Sequence, residues 1–279
     1  MILFFTDCSR YALIRVRDQA ETKVNKTEQS AAVPEKNRYR SVHLLYLDSK
    51  TRSSMKKSTS LILHLLLAVI VIVELAGRLA GRIQMEYPVK PLIMIWMAVY
   101  FMLFRKKAAF GFPVLLAFFF SWVGDNFLMF SDRNELFFFA GVGGFFFAQL
   151  TYIFVFIRFS ETGGKGYVQK NPWVSLFFLA YVATMLVLLF PGLEGMMKPV
   201  ITIYALSLMF MSMMALNRSG RVGTLSFKLT FAGSLLFMLS DSMIAYDKFR
   251  HEIPLAGFMI MITYIGAQYL IMRGLILEE

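Results

Sequence analysis

The sequence predicts an all-α fold: a polytopic bundle of about eight transmembrane helices. Three observations carry that prediction. Of the 279 residues, 57% are hydrophobic and only 17% charged, with a mean hydropathy of +0.59, more apolar surface than a water-soluble domain of this size needs. Apolar runs of roughly 20 residues, the length that crosses about 30 Å of hydrocarbon, recur along the chain. The Lys and Arg residues gather on alternate loops between those runs, as the positive-inside rule requires of a membrane protein. The net charge of +11 is therefore explained by topology, and nucleic acid is not the expected partner.

The spans fall at about 60–76, 88–104, 108–130, 136–157, 172–190, 198–216, 227–246 and 254–276. Arg105, Lys106 and Lys107, then Arg158, Lys165 and Lys170, then Arg218, Arg221 and Lys228 lie on the side of the basic N-terminus. The loops holding Asp132, Arg133 and Glu135, then Glu194 and Lys198, then Asp247, Lys248, Arg250 and Glu252 are close to neutral. The first outer loop, with Arg78, Arg82 and Glu86, departs mildly from the rule. Both termini are expected in the cytoplasm, and a bacterial inner membrane is the expected setting.

Residues 1–58 are of a different character. "RVRDQAETKVNKTEQSAAVPEKNRYR" has few large apolar residues and is expected to be disordered or loosely helical. The opening "MILFF" meets Asp7 too soon to be a signal-peptide core. Met55 begins "MKKSTSLILHLLLAVIVIVELAG", which reads as a natural start for a membrane protein, so residues 1–54 are expected to be dispensable. The domain division is then 1–58 as an extension and 59–279 as the membrane domain.

The two halves of that domain resemble one another. "VKPLIMIWMAVYFMLF" opens span two and "MKPVITIYALSLMFM" span six; "GDNFLMF" ends span three and "SDSMIAYDKF" span seven; "AQLTY" lies in span four and "AQYLI" in span eight. Lys-Pro, Asp and Ala-Gln thus recur in order, consistent with two four-helix repeats. An even number of spans per repeat makes such halves parallel.

Asp125 and Asp241 are the candidate catalytic pair. A charged Asp inside a spanning helix costs at least a few kcal/mol and marks a functional position by default. Each stands about five residues before the outer end of its span, roughly 8 Å deep at 1.5 Å per residue. Lys90, Lys198 and Glu74 reach the same level from other spans, and Ser121, Asn126, Ser240 and Ser242 surround the carboxylates. The two Asp are expected to face one another across an interior cavity. Purely structural pairing of Asp with Lys, and snorkelling of either Lys to the headgroups, are the competing readings. Gln149 and Gln268, mid-span, line the cavity or hydrogen-bond between helices.

Other stretches carry less. Ala140, Gly144 and Ala148 form a close-packing face. "ETGGKGY" has no preceding strand and is not a phosphate loop. His43, His64 and His251 have no ligand spacing, there is no G-x-S-x-G, and Cys8 stands alone. No metal or cofactor is expected.

The motifs "KPLIM", "SWVGDNFLMF", "GVGGFFFAQLTYIFVF", "MKPVITIYALSLM", "GSLLFMLSDSMIAYDKF" and "YIGAQYLIMRG", in that order over residues 61–277, make the chain resemble the YhhN-type family, the lysoplasmalogenases. In one place it departs: relatives commonly carry a His where Gln149 stands. The resemblance implies hydrolysis of a lysoplasmalogen's vinyl ether bond to a fatty aldehyde and a glycerophospho-alcohol, with a lysophospholipid as partner and no cofactor. Protonation of the β-carbon gives an oxocarbenium ion that water captures, so one Asp would be the acid and the other an ionised partner, as in glycosidases. The longer apolar flanks of Asp125 favour it as the acid, with Asp241 as the partner. Lys90 and Lys198 would hold the phosphate, with Asn126, Gln149 and Gln268 as further substrate-binding positions. A non-enzymatic membrane protein, a proton-coupled transporter or lipid carrier using the paired Asp, is the alternative. The oligomeric state is not legible.

Overall fold

A computed structural model of the chain describes residues 35–81, 83–105, 111–160 and 164–278, with side chains from Met55 onward except at 83–85. The eight long helices are α1 (Glu35–Leu79), α2 (Ile83–Phe104), α3 (Gly111–Leu128), α4 (Glu135–Arg158), α5 (Ser175–Leu189), α6 (Met197–Asn217), α7 (Thr224–Phe249) and α8 (Ala256–Glu278). There is no strand among the described residues. Single 3₁₀ turns, Pro172–Val174 and Phe190–Gly192, extend α5 at both ends, and a one-turn helix, Tyr167–Lys170, precedes it. Eight helical segments are long and apolar enough to cross a membrane, the first being Met55–Leu79 and the fifth Pro172–Gly192. The expected all-α bundle is observed.

Two details differ from expectation. α1 begins at Glu35, so residues 35–58 of the extension are helical and not disordered; no Gly or Pro interrupts that stretch, and nothing in it therefore breaks the helix that the first span continues. Residues 1–34 lie outside the described residues. α2 begins further out than 88, which places Pro88 and Pro91 inside the helix on either side of Lys90 and its neighbours. Each Pro removes one rung of the backbone ladder, near the outer end where polar residues concentrate. The chain divides into two compact units, one ending at Ile62 and the other Leu63–Glu279. Everything below concerns the second.

Small residues bring neighbouring helices together, as expected where lipid supplies no hydrophobic drive between them. An added Cβ at Gly144 of α4 would lie 2.7 Å from the backbone nitrogen of Gly124 in α3, so the two helices touch backbone to backbone there. Apolar side chains on the outer faces, Leu65, Phe112, Phe147 and Val187 among them, are exposed, as lipid contact requires. At the inner ends, Arg218 is ion-paired with Glu278, both buried, with the guanidinium 5.3 Å from the centre of the Phe156 ring. At the outer end, Phe138, Leu189, Leu193 and Ile201 form a separate apolar cluster with Phe249 and Ala245 packed on it.

Candidate active site

The sequence places acidic, basic and amide groups at matched depths on different helices, and the bundle sorts them into two hydrogen-bonded networks. The first surrounds Asp125, which is 2% exposed. Lys90 Nζ of α2 lies 3.4 Å from its Oδ1, and the Tyr264 hydroxyl of α8 donates to its Oδ2 at 2.7 Å. One turn further along α8, Gln268 donates to Ser121 of α3 at 2.9 Å and accepts from the Tyr152 hydroxyl of α4 at 2.5 Å. Asp125 is thus an ion-paired carboxylate sealed in the interior.

The second network surrounds Asp241 of α7, 6% exposed. The Tyr204 hydroxyl of α6 and the Gln149 amide of α4, the latter at 3.3 Å, both donate to its Oδ2. Ser207 donates to the Gln149 carbonyl oxygen, which turns the amide nitrogen toward the carboxylate. Among the described residues no cation is paired with Asp241. Its surroundings are otherwise apolar: it borders a cavity of about 60 Å³ near the outer end of α3–α7, lined also by Phe138, Val142, Phe145, Leu189, Ile201 and Phe249. On the same wall, the Tyr181 and Ser242 hydroxyls meet at 2.5 Å.

The expectation that both Asp face a common cavity is corrected here: Asp241 lines it and Asp125 does not. Between them stands an aromatic wall. Phe145 lines the cavity and packs edge-on against Tyr264, ring centres 5.6 Å apart, and it is the Tyr264 hydroxyl that holds Asp125. Asp125 nevertheless acts electrostatically on Asp241.

Of the other expected residues, Gln149 and Gln268 are fully buried and belong to the networks. Lys90 is committed to Asp125. Lys198 is exposed in the first turn of α6 and is not brought to either carboxylate. Asn126 donates to the Trp122 carbonyl of its own helix at 2.7 Å and joins neither network. Glu74 is buried against Arg78, 3.0 Å away, and Arg78 also reaches Glu86 at 2.8 Å; the positive excess of the first outer loop is largely neutralised by these two carboxylates.

Sequence reasoning missed Tyr204 and Tyr264, the two hydroxyl donors to the Asp pair. Their signal was a Tyr in place of Phe in the interior of a span, in a chain with 29 Phe and 12 Tyr. The halves also exchange partners: Gln149 of the first serves Asp241 of the second, and Tyr264 of the second serves Asp125 of the first. Where the repeat breaks, the chemistry diverges. Tyr204 stands six residues after Lys198, whereas Trp96 stands six after Lys90 and donates instead to the Leu63 carbonyl at 2.8 Å.

Eight spanning helices with paired intramembrane carboxylates define an integral, multi-pass membrane protein. The YhhN family model matches residues 85–275, more than half of the chain, and the chain belongs to that family. It is 32% identical over 131 residues to lysoplasmalogenase TMEM86B of Homo sapiens, covering 47% of this chain and 50% of that protein. It is 30% identical to lysoplasmalogenase TMEM86B of Sus scrofa over 53% of this chain and 57% of that one. To lysoplasmalogenase TMEM86A of Bos taurus it is 28% identical, over 54% and 60% respectively. The matched region thus spans about half the length of these curated relatives. All three carry an enzyme's name, which does not favour the transporter or lipid-carrier alternative. No solved structure matches the chain.

Proposed function

We propose that the protein hydrolyses the vinyl ether bond of a lysoplasmalogen within the membrane, releasing a fatty aldehyde and a glycerophospho-alcohol, with Asp241 as the proton donor. The observation that carries this reading is the placement of Asp241: a carboxyl group on the wall of an otherwise apolar cavity, held by two neutral donors and no cation. In the reaction, the alkene π electrons take the Asp241 proton at the β-carbon, and the ether oxygen stabilises the resulting cation. Water adds to the α-carbon and returns a proton to the Asp241 carboxylate. The hemiacetal then collapses: its C–O bond to the glycerol breaks, the hydroxyl proton passes to the departing oxygen, and one water has been consumed. This assignment reverses the sequence-based roles. Asp125, ion-paired to Lys90, is the permanently ionised partner whose negative charge favours the oxocarbenium ion.

Gln149 fits this scheme as a positioning residue. Its amide donates to Asp241 but carries no titratable proton, so acid and base duty both rest on the carboxyl group. The activity is assigned to residues 59–279, and a chain starting at Met55 is expected to insert and retain turnover; loss of either would place a required element in the extension. The proposed setting is a bacterial inner membrane with both termini cytoplasmic. The basic loops around Lys165 and Arg221 support that orientation, which labelling of cysteines introduced there reads directly. The primary test is aldehyde release: purified protein reconstituted with a lysoplasmalogen should liberate aldehyde and glycerophospho-alcohol in equal amounts. Absence of both products from folded protein would sink the proposal.

A further inference from the structure

We infer that Lys248 holds the substrate's phosphate at the outer mouth of the Asp241 cavity; this rests on the function proposed above. Lys248 follows Asp241 by seven residues in α7, so the two share a helix face about 10 Å apart along the axis. The Lys248 side chain is exposed, and its Nζ lies 4.6 Å from the centre of the Phe138 ring. Phe138 lines the cavity and packs edge-on against Phe249, a second lining residue, at 5.6 Å. A ring face attracts an ammonium group, so Phe138 steadies the cation over the apolar mouth. Across the rim, the chain after α5 comes so close that a Cβ on Gly192 would collide with the Phe249 carbonyl.

The spacing works as a ruler. In a lysoplasmalogen the phosphorus is seven bonds from the vinyl β-carbon, roughly 8–9 Å when extended. Phosphate seated on Lys248 therefore sets the β-carbon at the depth of Asp241, with the hydrocarbon chain pointing further into the membrane. Lys90 is unsuited to this task, being paired to Asp125 and only 10% exposed at its side chain. Lys198 supplies a second cation at the same rim: it lies one turn outside Ile201, on the α6 stripe that continues through Ala205 and Leu208, all three of them lining residues. A lysine ammonium, compact and mobile on its stem, suits a phosphate that must arrive and leave.

The test compares lysoplasmenylethanolamine with the matching 1-alkenylglycerol, which has the vinyl ether but no phosphate, on reconstituted wild-type, K248Q, K248R and R250Q protein. K248Q should raise KM for the phospholipid about tenfold with kcat held, and K248R should restore it. The penalty should disappear with 1-alkenylglycerol. R250Q removes the same charge from the same loop and should leave KM for the phospholipid unchanged. Equal loss on both substrates would make Lys248 a structural residue at the end of α7. No loss on either, or a matching loss in R250Q, would also overturn the assignment. If wild-type protein turns over neither lipid, the proposed reaction fails, and binding decides Lys248 separately. K248Q should then weaken lysophosphatidylethanolamine but not monoacylglycerol, and equal affinities would overturn the seat.

Discussion

Asp241→Asn should lower kcat for vinyl ether hydrolysis by about 10²–10⁴-fold, the range typical of general acid catalysis, while the protein stays folded. Asparagine can accept the same two hydrogen bonds from Tyr204 and Gln149 through its carbonyl oxygen, and no cation is left behind without a partner. It has no acidic proton to give to carbon. The variant should therefore elute and melt in detergent like the wild type, and only turnover should collapse. Turnover within tenfold of wild type in folded D241N would remove Asp241 from the mechanism.

Asp125→Asn should behave differently, because its loss leaves the Lys90 ammonium buried opposite an amide. Removing one partner of a buried ion pair costs on the order of 3–5 kcal/mol, so a marked drop in melting temperature is expected along with reduced turnover. The double variant K90M/D125L replaces both charges with apolar groups, which is often neutral or better for stability. It should melt near the wild-type temperature and still turn over slowly, since the negative charge opposite the oxocarbenium ion is gone. Full recovery of activity in K90M/D125L would make the pair structural only. The D125N/D241N double variant should be little slower than D241N, as groups serving one step are not additive.

The fold was legible because the membrane imposes a length and an apolar composition on each span, and those survive any detail of packing. Asp125, Asp241, Lys90, Gln149 and Gln268 were legible for a related reason: a charge or an amide in hydrocarbon is conspicuous. Tyr204 and Tyr264 were hidden because a tyrosine differs from the surrounding phenylalanines by one oxygen, and nothing in the spacing says whether that oxygen has an acceptor. The division of labour between the carboxylates was not legible for the same cause. Matched depth suggested equivalent roles, but Lys90 reaches Asp125 whereas the place opposite Asp241 is taken by Tyr204. Flanking hydrophobicity pointed to Asp125 as the buried acid; both Asp proved buried, and the presence or absence of a cation distinguishes them.

Tyr204 and Gln149 donate to one and the same oxygen of Asp241. With Oδ2 doubly occupied, the transferable proton belongs on Oδ1, and the carboxyl group cannot swivel without breaking both bonds. The proposed acid is therefore aimed as well as placed. A substrate fixed by its phosphate at one end presents a single face of its planar double bond to that oxygen. The carbon next to the aldehyde would then receive its new hydrogen from one side only. In heavy water that carbon becomes a stereocentre, and its handedness would be written by two hydrogen bonds on a single carboxylate oxygen.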